Sequence, residues 1–249
     1  MKKRMILLSL VAAILLALTG CIRIGNGRGI GGNTITGTGP MVTRNIDVGD
    51  FTALEVTGNF VVVYRVAPDT ALTVVMQDNL FVNFESNIRG GNLQVSNRNI
   101  LTTNIGNRPR LYVYAPSLSA VTFSGAVDVQ DWDTIHADSF SINTSGAANI
   151  TIVVEADSLY VDTSGAANLT LDMDVETLDM DISGAADVEL SGFAGSIDIR
   201  GAGAFNLSAG ELLTDGGRVN VAGASNVYLH SLDNIDITTS GLSRVRQAN

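Results

Sequence analysis

NTSGAANIT (143–151), DTSGAANLT (162–170) and DISGAADVE (181–189) are three versions of one phrase. Reading outward, TFSGAVDVQ (122–130) precedes them, and DIRGAGAFN (198–206), NVAGASNVY (220–228) and TTSGLSRVR (238–246) follow. Aligned on Gly125, Gly146, Gly165, Gly184, Gly201, Gly223 and Gly241, the steps are 21, 19, 19, 17, 22 and 18 residues. Four residues before each glycine stand Val121, Ile142, Val161, Met180, Ile197, Val219 and Ile237. Four after it stand Val129, Ile150, Leu169, Val188, Phe205, Val227 and Val245. Six after it, the middle five repeats carry Ile152, Leu171, Leu190, Leu207 and Leu229. Apolar residues two apart, separated by Asp, Asn, Thr and Ser, predict strands with one buried face. No single repeat can bury that face, but stacked repeats can. The prediction is an all-β fold: a parallel β-helix with about 17–22 residues per coil, right-handed by the crossover rule.

The 249-residue chain is 45% apolar and holds 26 glycines, four prolines and one cysteine. That content supports a sizeable core. One cysteine excludes a disulfide framework and a cysteine-built zinc site. The net charge of −10 argues against a nucleic-acid partner. Between residues 111 and 199 there are 15 acids and no Lys or Arg, so the middle coils are expected to form an acidic belt.

The N-terminus reads as an address. Lys2, Lys3 and Arg4 precede an apolar run, Met5 to Leu18, broken only by Ser9. The run has the length of a signal-peptide h-region. It ends Leu18-Thr19-Gly20-Cys21, which resembles the bacterial lipoprotein box. The resemblance implies that residues 1–20 are removed and that Cys21 is acylated. Several acyl chains on one residue anchor a protein stably to a membrane. Ile22 follows the cysteine, which by analogy with envelope sorting favours the outer membrane or cell surface. Without the signal, 12 basic residues face 25 acidic ones, net −13, and no lysine remains. Residues 21–45 are glycine-rich and read as a tether. The head domain is expected over 46–249, with irregular first coils at 46–117 and regular ones at 118–249.

FTALEVTGNFVVVY (51–64), GGNLQV (90–95), LYVYAPSLSAVTFSGA (111–126) and the repeated Ser-Gly-Ala together resemble the auto-transporter adhesin head GIN domain family. The resemblance covers roughly residues 46–246 and implies a β-helix on an exported, often lipid-anchored bacterial protein, with no catalytic residues to carry over.

Candidate sites follow from the columns. Asp162, Asp181 and Asp198, each three residues before its glycine, would line up about 5 Å apart. Such oxygen donors are the candidates for a calcium ladder; the plain alternative is a solvated acidic face flanked by asparagine ladders, and no cofactor is expected. Trp132, flanked by Asp131 and Asp133, is the candidate carbohydrate contact, against the plainer role of covering a core edge. His136 and His230 fall several coils apart, and the serines of the corners lack a base, so no catalytic residue is expected. The functional expectation is a non-enzymatic, adhesin-like envelope module, tied to the membrane through Cys21 and open to a protein or glycan partner. The alternatives are a carbohydrate-binding or polysaccharide-processing β-helix and a structural envelope-stress component.

Overall fold

In the computed structural model, the described residues are 34–98, 100–103, 107–231 and 233–247. The segment 1–33, and with it the expected signal peptide and Cys21, lies outside them.

The first part of the chain forms β1 (Thr34–Thr36), β2 (Met41–Ile46), β3 (Ala53–Val66), β4 (Ala71–Gln77), a 3-10 turn over Asp78–Asn83, β5 (Phe84–Arg89), β6 (Asn92–Asn97), β7 (Ile100–Thr102) and β8 (Arg110–Ala115). Two of these lie within the stretch expected as a tether. β1 pairs in parallel with β7, and β2 pairs antiparallel with β4. Their apolar–polar alternation (Thr-Ile-Thr, then Val42 and Ile46) outweighs the glycines around them.

The expectation of irregular coils over 46–117 also changes. Here the chain mixes two pairing modes. β3 runs parallel to β6 and β8, while β4 runs antiparallel to both β2 and β8, and β5 antiparallel to β6. Arg89-Gly90-Gly91-Asn92 makes the β5–β6 reversal, with φ of 57° and 78° at the two glycines. Two consecutive positive φ angles are what a tight hairpin turn requires, and their twist matches that of the strands. The antiparallel strands form this end of the sheet, with β2 at its edge, and Leu80 from the 3-10 turn is fully buried.

β3 sets a parallel register that the chain repeats from β9 onward. β9 (Ala120–Val129) lies on β3 with Gly125 opposite Gly58, and β10 (Ile135–Gly203) lies on β9 with Gly146 opposite Gly125. β11 (Asn206–Thr214) and β12 (Gly217–Gly223) pair with late parts of β10, β13 (Asn226–Leu229) with β11, β14 (Ile235–Gly241) with β12, and β15 (Arg244–Gln247) with β13. The result is all-β, an unclosed and mostly parallel sheet around one buried core running from Phe51 to Leu229.

The register corrects one column of the sequence reading. Gly203, not Gly201, stands opposite Gly223, and a Cβ on Gly203 would strike the carbonyl oxygen of Gly184. The corner glycines are therefore 125, 146, 165, 184, 203, 223 and 241, and the steps become 21, 19, 19, 19, 20 and 18. Ile199 replaces Ile197 in the inward column before the corner, while Leu207 and Ala209 replace Phe205 and Leu207 in the two after it. Gly201 and Phe205 form a separate unit. A Cβ on Gly201 would lie 2.2 Å from Phe205 Cζ, so the absent side chain makes room for the ring. One rung earlier the same two places hold Ile182 and Ala186, both buried. The large residue has changed sides of the corner while the filled volume is conserved.

Tyr64 carries a pH dependence. Its ring is 1% exposed and its hydroxyl donates to the Ala115 carbonyl at 3.1 Å. Burial, aided by the Asp133 carboxylate, pushes the phenol from 10.0 up to about 12. The folded state thus holds the proton more tightly than the unfolded chain. The associated stability is complete below pH 10 and is lost as pH rises through 12, by about 3 kcal/mol in all. Urea midpoints across that window should fall in the wild type and fall less in Tyr64→Phe, which has no phenol to ionise.

Candidate functional site

The aspartates expected to form one ladder occupy two columns. Asp162 and Asp181 stand three residues before corner glycines Gly165 and Gly184. Asp198 moves to the column five before the corner, and Arg200 takes the place next to Asp181. The Arg200 guanidinium reaches Asp179 at 2.6 Å, Asp198 at 2.7 Å and Asp181 at 3.0 Å, and Arg218 approaches Asp198 at 3.6 Å. The hydrogen bond to Asp198 raises the Arg200 pKa most, with the three carboxylate charges adding to it, so the cation is permanent. The Asp181 and Asp198 oxygens, two of the three expected metal donors, are thereby turned towards an arginine. Among the described residues, no cluster of three or more His, Cys, Asp or Glu side chains is placed to hold a metal.

Arginines from outside the acidic stretch fold onto it elsewhere too. Arg108 pairs with Asp128 at 3.3 Å while bonding Asn59 and the carbonyls of Phe60 and Ala126. Arg65 pairs with Asp133 at 3.2 Å and donates to the Asp131 carbonyl. The belt read from the sequence is net acidic yet locally compensated at both ends.

Trp132, Asp131 and Asp133 lie together on the turn between β9 and β10. The indole N–H donates to the Val62 carbonyl at 3.0 Å. Its ring packs on Tyr64 at 5.4 Å and edge-on against Phe123 at 6.2 Å. Asp133 accepts the Val66 N–H at 2.8 Å. These groups fasten the turn to β3. His136 faces Glu155 at 3.0 Å and His230 faces the Gly210 carbonyl at 3.0 Å, each on its own part of the sheet.

A second polar surface, the asparagine ladder expected beside the acidic face, follows the corner glycines. Three residues after them, Asn149, Asn168, Asp187, Asn206 and Asn226 stand in file. Asn168 donates to Asn149 at 2.8 Å, Asn206 to Asp187 at 2.9 Å, and Asn226 to Asn206 at 3.1 Å. Five residues after the corners run Thr170, Glu189, Ser208 and Tyr228. Between the two files lies a shallow groove of about 600 Å³. Tyr228 is 40% exposed there, and the register continues both files onto Arg244 and Arg246. The signal was present in the sequence but interrupted: aligning on Gly201 put Ala204 in the file instead of Asn206.

A family model described as "Putative auto-transporter adhesin, head GIN domain" matches residues 50–172 and 153–249. No curated protein matches the chain. Among solved structures, a "putative lipid binding protein" from Parabacteroides distasonis has TM-score 0.73 at 15% identity, covering 87% of this chain and 100% of its own. A "putative adhesin" from Bacteroides fragilis has TM-score 0.66 at 16% identity, covering 86% and 100%. A second Parabacteroides distasonis "putative adhesin" has TM-score 0.67 at 16% identity, covering 87% and 98%. At such identities the likeness is one of fold.

Proposed function

The chain belongs to the auto-transporter adhesin head GIN domain family, and from that premise we propose that it is an exported, non-enzymatic interaction module of the bacterial cell envelope. In this reading residues 1–20 direct export and Cys21 carries the lipid that holds the protein on the outer membrane or cell surface. The glycines before residue 34 space the head from the membrane. The head winds as a right-handed parallel β-helix and offers a protein or glycan partner one long face. The observation that carries the reading is the file Asn149–Asn226, in which side-chain bonds join Asn149 to Asn168 and Asp187 to Asn206 and Asn226, and hold those groups in position. A face that loses little freedom on binding suits an adhesive role.

Cys21→Ser tests anchor and role together. The variant should leave the membrane fraction, and cells producing it should adhere to immobilised glycoprotein no better than cells without the protein. Unchanged fractionation overturns the anchor. Adherence that is the same with and without the wild-type protein overturns the interaction role.

A further inference from the structure

We infer that the groove beside Tyr228 binds a glycan ending in a single carboxylated sugar, with the carboxylate on Arg244 and Arg246. The inference rests on the reading of the head as an interaction module and names its ligand class. Along the two files the chemistry changes in order. After the neutral Asn168 and Thr170 come Asp187 and Glu189, then Asn206 and Ser208, then Asn226 and Tyr228, then Arg244 and Arg246. The last two arginines are exposed and, unlike Arg65, Arg108 and Arg200, have no carboxylate partner among the described residues. Directly opposite them in the register stand Asn226 and Tyr228.

Each part of that order fits one part of such a ligand. Two neighbouring guanidinium groups match a carboxylate better than one amine does, because they offer paired donors. The exposed phenol ring gives the apolar face of a sugar ring a platform, with its hydroxyl still in water. The amides of Asn206 and Asn226 each spend one N–H on the file and keep a second for ligand hydroxyls. Asp187 and Glu189 lie three rungs from the arginines, about 14 Å along the stack. Neutral hydroxyls can donate to them, but a second ligand carboxylate there would be repelled. The face therefore selects one terminal charge followed by neutral sugars, and disfavours a polyanion.

Titration of the full chain in detergent with sialyllactose, one carboxylated sugar on two neutral ones, tests this. Saturable binding is expected, with lactose markedly weaker and polygalacturonate no better than lactose. Arg244→Gln with Arg246→Gln should weaken sialyllactose by roughly tenfold or more, the worth of one lost charge-assisted contact. Tyr228→Ala should weaken it and Tyr228→Phe should not, while all variants keep the wild-type melting temperature because the three side chains are exposed. Sialyllactose that fails to bind, or that binds equally to the arginine variant, overturns the inference. So does equal displacement by inorganic phosphate, or arginine-dependent binding to phosphatidylglycerol vesicles, either of which would mark the pair as a general anion or lipid contact. The two proposals fail separately: lost sialyllactose binding leaves the Cys21-dependent adherence standing, and sialyllactose binding without adherence leaves the site without the adhesive role.

Discussion

Gly165→Ala should lose about 3–5 kcal/mol of stability, the upper range for a single methyl addition. Two costs combine at this position. The backbone sits at φ 113°, outside the regions open to residues with a side chain. The added Cβ would also lie 2.5 Å from the Gly146 carbonyl oxygen and 2.8 Å from its nitrogen. Both atoms are backbone, held in place by the parallel pairing around them, so nothing can swing aside. The comparison is Gly90→Asn, where φ is 57° and no atom lies within 4 Å of an added Cβ. Asparagine tolerates that conformation, and a change within about 1 kcal/mol is expected. Urea midpoints of the two variants compare a corner that carries both costs with a turn that carries neither. Equal midpoints would mean that neither the close contact nor the backbone strain at the corner is real.

Phe205→Ala should cost about 3–5 kcal/mol by opening a cavity in the core. The more informative result is its repair. Ile182 and Ala186 already fill one rung with the large residue before the corner and the small one after it. Gly201→Ile with Phe205→Ala copies that arrangement one rung later, and Gly201 has no positive φ to forbid a side chain. The double variant should recover most of the loss of Phe205→Ala. Gly201→Ile alone should be severely destabilised, because its side chain would enter the Phe205 ring. Such non-additivity is expected where two residues share one volume. A double variant no more stable than Phe205→Ala would mean that the ring does more than fill space.

The strands and their buried faces were legible because period-two alternation survives from Val121 to Leu229. The corner glycine of one rung was not. GAGA at 201–204 offers two glycines, and only the contact with Gly184 distinguishes the corner from the space left for a ring. That two-residue slip placed Asp198 beside Asp181 and hid both the Arg200 cluster and the continuous asparagine file. The antiparallel pairing was hidden for another reason. Alternation in β2 and β4 predicts a strand but carries no direction, and only the Gly90-Gly91 turn marks a reversal locally. The neutralising contacts of Arg65 and Arg108 span more than 15 residues, a distance at which charge order along the chain says nothing of pairing.

The two ends of the parallel stack differ in when the chain can make them. The end with the antiparallel strands uses residues 34–115, which leave the ribosome first. Once β3 is seated on β6 and β8, it presents a complete row of unpaired backbone groups in the register that β9 needs. Every later rung meets a finished template only 18–21 residues behind it, so each addition closes a short loop and costs little chain entropy. Assembly then proceeds as a zipper with one starting point and one direction, and a chain interrupted at any corner is a shorter stack whose completed rungs already hold their final partners.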